Sequence, residues 1–211
     1  MSRFPDPRSA PRDGPLAWGG DLEPLTLLDA YSHGIFPWPV SEDAVFWWSP
    51  DPRAVIPLDG LHVSRTLRRT LRSGRFRTTL DQAFPAVMAA CADRPGEGTW
   101  ITAAMRRAYA TLHELGHAHS AEVWDGRGEL VGGVYGVTIG AAFMGESMFH
   151  RATDASKVAL VRLVEHLRER GFALFDVQLP TPHLARMGAV ELDRGAYLDR
   201  LAAAVGQPAR W

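Results

Sequence analysis

Apolar residues recur along this chain with two periods, one helical and one alternating, and their order outlines a fold. Glu23-Pro24 opens a helix: proline suits a first helical position, Leu25, Leu28 and Tyr31 follow at helical spacing, and Gly34 stops it. Gly34-Ile35-Phe36-Pro37-Trp38-Pro39 is too proline-rich for a central strand, because each proline removes a ladder donor. Val45–Trp48 and Ala54–Ile56 read as short strands. Ser64 is a good N-cap for a helix over 65–73, and Arg75–Leu80 is a strand candidate. Helices follow over Asp81–Ala92 and Thr102–Leu115, the second capped by Thr102 and stopped by Gly116. Three strands come next, Ala118–Trp124, Leu130–Ile139 and Ala141–Phe149, with Asp125-Gly126 turning between the first two. A long amphipathic helix spans Ala155–Arg170. The strand Ala173–Val177, a helix over Pro182–Met187, the short strand Val190–Leu192 and a helix over Arg194–Ala204 complete the order.

This pattern predicts an α/β (α+β) chain of two parts. Residues 1–60 form a small N-terminal domain, and residues 61–211 a longer domain around a mixed sheet, with the boundary near Gly60. Pro5, Pro7, Pro11 and Pro15 make 1–15 read as a loose arm. Of 211 residues, 46% are apolar and 22% charged, enough to build a core and too much for disorder. No apolar run approaches the roughly 20 residues of a membrane span, and Met1–Arg8 lacks the apolar stretch of a signal peptide. The lone Cys91 excludes a disulfide framework and any multi-cysteine zinc site. The expectation is a cytoplasmic monomer with no membrane partner. Net charge is −1, yet Arg65, Arg68, Arg69, Arg72, Arg75 and Arg77 fall in one run without an acid. Such a run fits a local polyanion contact and equally a solvated helix face.

The loudest formal motif is His113-Glu114-Leu115-Gly116-His117, which matches H-E-x-x-H. Zinc chemistry needs both histidines one turn apart on a continuing helix, and Gly116 ends this one, so no metal is expected. Gly145-Glu146-Ser147-Met148-Phe149 lacks the final glycine of a nucleophile elbow and sits among strands. Gly132, Gly133, Gly136, Gly140 and Gly145 fall in strand patterns, where they mark bulges or close approach of another segment. The element order of the second part resembles the GNAT acyltransferase-like fold. Those enzymes hold coenzyme A with a glycine-containing loop before a helix. Here the junction Phe149–Ser156 has no glycine, and Asp154 stands where amides would meet phosphate. No cofactor is expected.

A series of blocks in order carries a more specific resemblance: Gly19-Gly20-Asp21-Leu22, Gly34-Ile35-Phe36-Pro37-Trp38, Trp47–Arg53, Gly98-Thr99-Trp100-Ile101-Thr102, Leu112–Trp124, Leu130–Val137, Gly145–Phe149, Ala155-Ser156-Lys157 and Asp176-Val177-Gln178. Over roughly 16–200 the chain resembles the leucyl/phenylalanyl-tRNA–protein transferases. That resemblance implies a small N-terminal domain before a GNAT-like domain. It implies transfer of Leu or Phe, and with them Met, from aminoacyl-tRNA to the α-amine of proteins beginning with Arg or Lys, a step of the N-degron route of protein degradation. It places Asp176 and Gln178 at the chemistry and Glu146 at the acceptor's N-terminus. The 3′ adenosine of the tRNA would meet Trp38 and Trp100, with Tyr31 and Tyr109 as further candidates. The transferred side chain would enter a pocket for which Phe143, Met144, Met148 and Phe149 are candidates. Arg65, Arg68 and Arg69 would track tRNA phosphates. Thr181 stands where many members carry Asn. Two alternatives remain open: a non-catalytic tRNA- or degron-binding module on the same fold, and a coenzyme A acyltransferase, which the missing loop disfavours.

Overall fold

The computed structural model describes residues 2–41, 44–94, 96 and 98–211. The first part holds β1 (Ala17–Trp18), α1 (Pro24–Ser32), β2 (Phe36–Ser41) and β3 (Ala44–Trp48). The three strands form an antiparallel sheet in the order β1-β3-β2. Pro37 and Pro39 therefore sit on an edge strand, the place where a missing N–H costs least. The expectation of a loose arm does not hold. Phe4 packs on Trp47 with ring centroids 4.7 Å apart, and Arg3 donates to Thr26 Oγ1 at 2.9 Å. Arg194, from near the other end of the chain, donates to the Ala10 carbonyl at 2.6 Å. Prolines lower the entropic cost of ordering an extended arm, and these contacts supply the partners.

The remaining elements are β4 (Arg53–Val55), α2 (Arg65–Arg72), β5 (Arg77–Leu80), α3 (Phe84–Ala92), α4 (Ala103–Glu114), β6 (Ala118–Trp124), β7 (Leu130–Ile139), β8 (Ala142–His150), α5 (Ala155–Glu169), β9 (Leu174–Gln178), α6 (Pro182–Arg186), β10 (Val190–Leu192) and α7 (Arg194–Val205). Local chemistry explains the helix starts: the side chains of Ser64, Thr102, Thr181 and Asp193 each accept a backbone N–H of the first turn. Seven strands form one mixed sheet in the order β10-β4-β9-β8-β7-β6-β5. β4 lies before Gly60 in sequence and within this sheet. One face is covered by α5, whose Leu160, Leu163 and Val164 pack with Val134, Phe143 and Phe175. The other carries α1, α3, α4 and α7, with Tyr31, Tyr109, Tyr135 and Met144 at its centre. Among the described residues no helix is long and apolar enough to cross a membrane.

Two irregularities shape the middle of this sheet. β8 and β9, joined through α5, are the parallel pair, and their pairing covers only Ala142–Met144 against Leu174–Asp176. Beyond Met144 the strands part. On the other edge of β8, Gly136 faces Gly145 while Tyr135 faces Ser147, so Glu146 is an extra, unpaired residue. This β-bulge re-aims the side chain it carries. Gly136 is required there, because a Cβ would lie 2.2 Å from the Met144 carbonyl oxygen.

Candidate active site

The parting of β8 and β9 opens a cavity of about 270 Å³. Glu146, Ser147 and Met148 line it from β8, Phe175, Val177 and Gln178 from β9, and Trp38 and Trp100 close it from two other segments. Gln178 ends β9 with φ 64°, a left-handed conformation that costs a non-glycine residue of order 1 kcal/mol or more. What holds it is local: its N–H donates to Asp176 Oδ1 at 2.8 Å. The turn breaks strand alternation and swings the Gln178 side chain onto Glu146, with Nε2 donating to Oε1 at 2.7 Å.

Glu146 is the node of the cavity. Its Oε1 also accepts from Tyr31 at 2.7 Å, and its Oε2 accepts from Tyr109 at 3.2 Å. The two tyrosine hydroxyls touch each other. Burial pushes the Glu146 carboxyl from its ordinary 4.5 up to about 7; the hydrogen bonds from Tyr31, Tyr109 and Gln178 oppose the shift and the Asp176 charge adds to it. Burial first, then the charge of Glu146, holds both tyrosines well above their usual 10.0, so they stay donors.

Asp176, expected to face the reaction beside Gln178, does not reach the cavity. It is fully buried and clasped by the Arg53 guanidinium, Nε to Oδ1 at 2.9 Å and Nη2 to Oδ2 at 2.7 Å. Tyr197 donates to Oδ2 at 2.9 Å, and Arg53 further donates to the Gly34 carbonyl at 3.1 Å. With both oxygens occupied, Asp176 acts by fixing the Gln178 turn. Residues two apart on a regular strand share a face; Asp176 and Gln178 do not, because Gln178 has left the strand conformation.

The other expected residues divide. Trp38 and Trp100 stack on each other with centroids 5.2 Å apart at 22°. That gap admits no third ring, since each stacked contact itself needs at least about 4.5 Å between centroids. A nucleobase must use the outer face of one indole or part the pair. Tyr31 and Tyr109 lie fully buried behind Glu146 and offer no face to a base. Met148 lines the cavity, and Phe143 stands behind its wall, edge-on to Phe175 at 5.6 Å. Met144 and Phe149 point to the opposite side of the sheet, in the core with Tyr109 and Val87. Met144 alternates with Phe143, and for Phe149 the bulge at Glu146 is the reason, because the inserted residue shifts which later side chains face α5. Arg65, Arg68 and Arg69 stand exposed on α2, anchored by buried Leu67, with no ion pair among the described residues.

Sequence reasoning missed several wall residues. Arg94 reaches Ser147 Oγ at 3.5 Å. His183 on α6 presents Nε2 to the wall with no partner among the described residues, and burial lowers its pKa. Neither carried a periodic or motif signal. α4 ends at Glu114 and Gly116 takes φ 77°, so His117 leaves the helix that carries His113. A different trio, Asp81, His113 and His119, brings its donor atoms within 4.8 Å of one another. Both histidines also have partners within the protein: His119 Nδ1 lies 2.7 Å from Asp81 Oδ2 and His113 Nδ1 2.7 Å from the Ala118 carbonyl.

Comparison with known proteins adds independent findings. Residues 55–202 match the family described as leucyl/phenylalanyl-tRNA protein transferase, and residues 20–51 match that family's N-terminal domain. A relative from Anaeromyxobacter dehalogenans (strain 2CP-C), named leucyl/phenylalanyl-tRNA–protein transferase, is 58% identical over 99% of this chain and 91% of its own length. One of the same name from Stutzerimonas stutzeri (strain A1501) is 53% identical over 97% of this chain and 92% of its own. Among solved structures, L-PGS from Bacillus licheniformis aligns with 77% of this chain and 52% of its own, at 13% identity and a TM-score of 0.45.

Proposed function

Because the chain belongs to the leucyl/phenylalanyl-tRNA–protein transferase family, we propose that the cavity between β8 and β9 is where it moves Leu, Phe or Met from aminoacyl-tRNA to the α-amine of a protein beginning with Arg or Lys. The product carries a destabilising first residue, which marks it for degradation, and the enzyme works as a cytoplasmic monomer. The observation that carries the reading is the pairing of the Glu146 carboxylate with the Gln178 amide, open to a cavity walled by two indoles.

The reaction is the aminolysis of an ester that is already activated, so positioning contributes more than strong base catalysis. The α-amine nitrogen attacks the ester carbonyl. An amide C–N bond forms, the C–O bond to the ribose breaks, and one proton passes from nitrogen to the departing ribose hydroxyl. An α-amine titrates near about 7.7–8.0. Glu146 at about 7 is matched to take a proton from the incoming ammonium. The Gln178 carbonyl oxygen is left free to orient the amine, since its amide group is engaged by Glu146. Met148 and Phe175 supply an apolar seat for the transferred side chain. A seat of that kind separates residues differing by a methylene only weakly, which fits a Leu, Phe and Met range. The adenosine stacks on Trp38 or Trp100, and the α2 arginines follow the acceptor-stem phosphates. A small N-terminal part ends near Gly60, with β4, just before that point, lending a strand to the sheet of the larger part.

Incubating charged leucyl-tRNA with peptides that differ only in their first residue tests the assignment. Transfer confined to Arg- and Lys-headed peptides is expected. Peptide and tRNA binding without transfer would instead identify a non-catalytic recognition module.

A further inference from the structure

Where β5 and β6 meet the end of α4, side chains from three separate segments converge. Asp81 follows β5, His113 lies in the last turn of α4, and His119 is the second residue of β6. One donor atom of each lies within 4.8 Å of the others. Asp81 takes φ 55°, a left-handed conformation that aspartate tolerates, and it is tied twice to Ser120. Its N–H donates to the Ser120 carbonyl at 3.0 Å, and its Oδ1 accepts the Ser120 N–H at 2.8 Å. Oδ1 is thus occupied, and Oδ2 meets His119 Nδ1 at 2.7 Å. Aromatic rings hold both imidazoles: Phe84 lies flat against His113, and Trp211 flat against His119, each with centroids 4.4 Å apart.

The carbonyls beside the two histidines fix their tautomers, because a carbonyl only accepts. The Ala118 carbonyl lies 2.7 Å from His113 Nδ1, and the Gly116 carbonyl 3.1 Å from His119 Nε2. Those nitrogens carry the protons, and the lone pairs of the neutral rings fall on His113 Nε2 and His119 Nδ1. The first has no hydrogen-bond partner among the described residues. The second faces a carboxylate oxygen that also only accepts. Two such lone pairs repel unless a positive charge stands at them, either a proton on the imidazole or a cation. A proton on His119 answers Asp81 alone, whereas a cation also uses His113. An imidazole whose other N–H is held by a backbone carbonyl is the usual form of a metal-ligating histidine. We propose that Asp81, His113 and His119 bind a divalent transition-metal ion of the zinc class, through Oδ2, Nε2 and Nδ1. Two imidazoles and one carboxylate suit zinc better than magnesium or calcium. Bonds of about 2.0–2.2 Å set tetrahedral zinc ligands about 3.3 Å apart, so the donors move on the order of 1 Å, which side-chain rotation supplies. Water takes the fourth position, and the ion ties the end of α4 to β5 and β6. The H-E-x-x-H spacing plays no part: His117 has left the helix, and His119 takes the place that the motif gives to its second histidine.

The test uses zinc itself, added to the full chain after chelator treatment and dialysis, with equilibrium dialysis and thermal unfolding as readouts. One zinc per chain is expected, with a rise in melting temperature of roughly 5 °C or more when zinc stands about 100-fold above its dissociation constant. Magnesium at the same concentration should give no rise. Asp81→Asn keeps an oxygen for the Ser120 N–H and removes the charge; it is expected to weaken zinc tenfold or more and to abolish the zinc-dependent rise. His113→Gln should do the same, and it decides the matter if Asp81→Asn fails to fold. His117→Ala should bind zinc as the wild type does. If Asp81 and His119 form only an ion pair, Asp81→Asn will lower the melting temperature equally with and without zinc, and the proposal falls. It falls as well if zinc binding survives both Asp81→Asn and His113→Gln, or is lost in His117→Ala, since either result assigns the ion to other histidines.

Discussion

At the scale of single residues, Glu146 is the node of the proposed site, and its behaviour stems from being the extra residue of a bulge. Facing inward between Tyr31 and Tyr109, it loses water on most sides and titrates at about 7 in place of 4.5. The folded protein therefore binds this proton more tightly than the unfolded chain does. The associated stability is fully present below about 4.5 and is lost as the pH rises through about 7. At 1.36 kcal/mol per unit the swing is at most roughly 3 kcal/mol, reduced because one side of the carboxylate opens on the cavity. Glu146→Gln is expected to flatten the fall in unfolding free energy between these pH values, measured by denaturant titration. Transfer should rise in the wild type as Glu146 loses its proton near pH 7. The Gln variant should lose that limb and fall by roughly 10- to 100-fold, as expected when a charge-assisted hydrogen bond of about 1.5–3 kcal/mol disappears. A wild-type profile flat across neutrality would remove Glu146 from the proton path.

Among the elements, α2 gives the clearest separation of role from fold. One buried residue, Leu67, ties it to the body, and Ser64 caps it at 3.2 Å. Among the described residues its arginines make no ion pair, so they can be exchanged without disturbing the core. Replacing Arg65, Arg68 and Arg69 with Ala should leave the melting temperature within a few degrees. It should weaken tRNA binding alike for all tRNA sequences, and it should reduce the log–log salt slope by about 0.7–0.9 for each phosphate that an arginine no longer meets. An unaltered slope, read from filter binding over a salt series, would mean that α2 is only a solvated face. The strand pair β8–β9 is the contrasting element. Its pairing stops after three positions, and the site exists because it stops.

On the scale of the whole molecule, the buried pair Arg53–Asp176 ties distant parts together. Arg53 on β4 reaches Gly34 at the end of α1, Asp176 on β9 and the ring of Tyr197 on α7 at 4.6 Å. The side chains of both partners are no more than 1% exposed. Removing one charge from such a pair strands the other, at about 3–5 kcal/mol. Arg53→Met should lower stability by that amount in denaturant unfolding, and should cost transfer through a loosened Gln178 turn. Asp176→Asn in the same background should recover part of the stability without recovering transfer. A loss below about 1 kcal/mol for Arg53→Met alone would show that the pair is not what braces the two parts.

Periodicity and caps are local properties. For that reason the sequence by itself determined the order and type of nearly all helices and strands, the helix stop at Gly116, the exclusion of Pro37 and Pro39 from a central strand, and the blocks that carry the family. It also brought Glu146, Gln178, Trp38 and Trp100 forward as site residues. Contacts between segments a hundred residues apart leave no such periodic trace. Only the tertiary structure decided that the parallel pair β8–β9 parts after Met144, that Met144 faces the core opposite α5, and that the bulge at Glu146 turns Phe149 into that same core. It likewise decided that Asp176 is taken by Arg53, 123 positions away. The docking of the proline-rich arm belongs with these. Each depends on which strand neighbours which and in what register, and one inserted residue there reverses every facing that alternation implies.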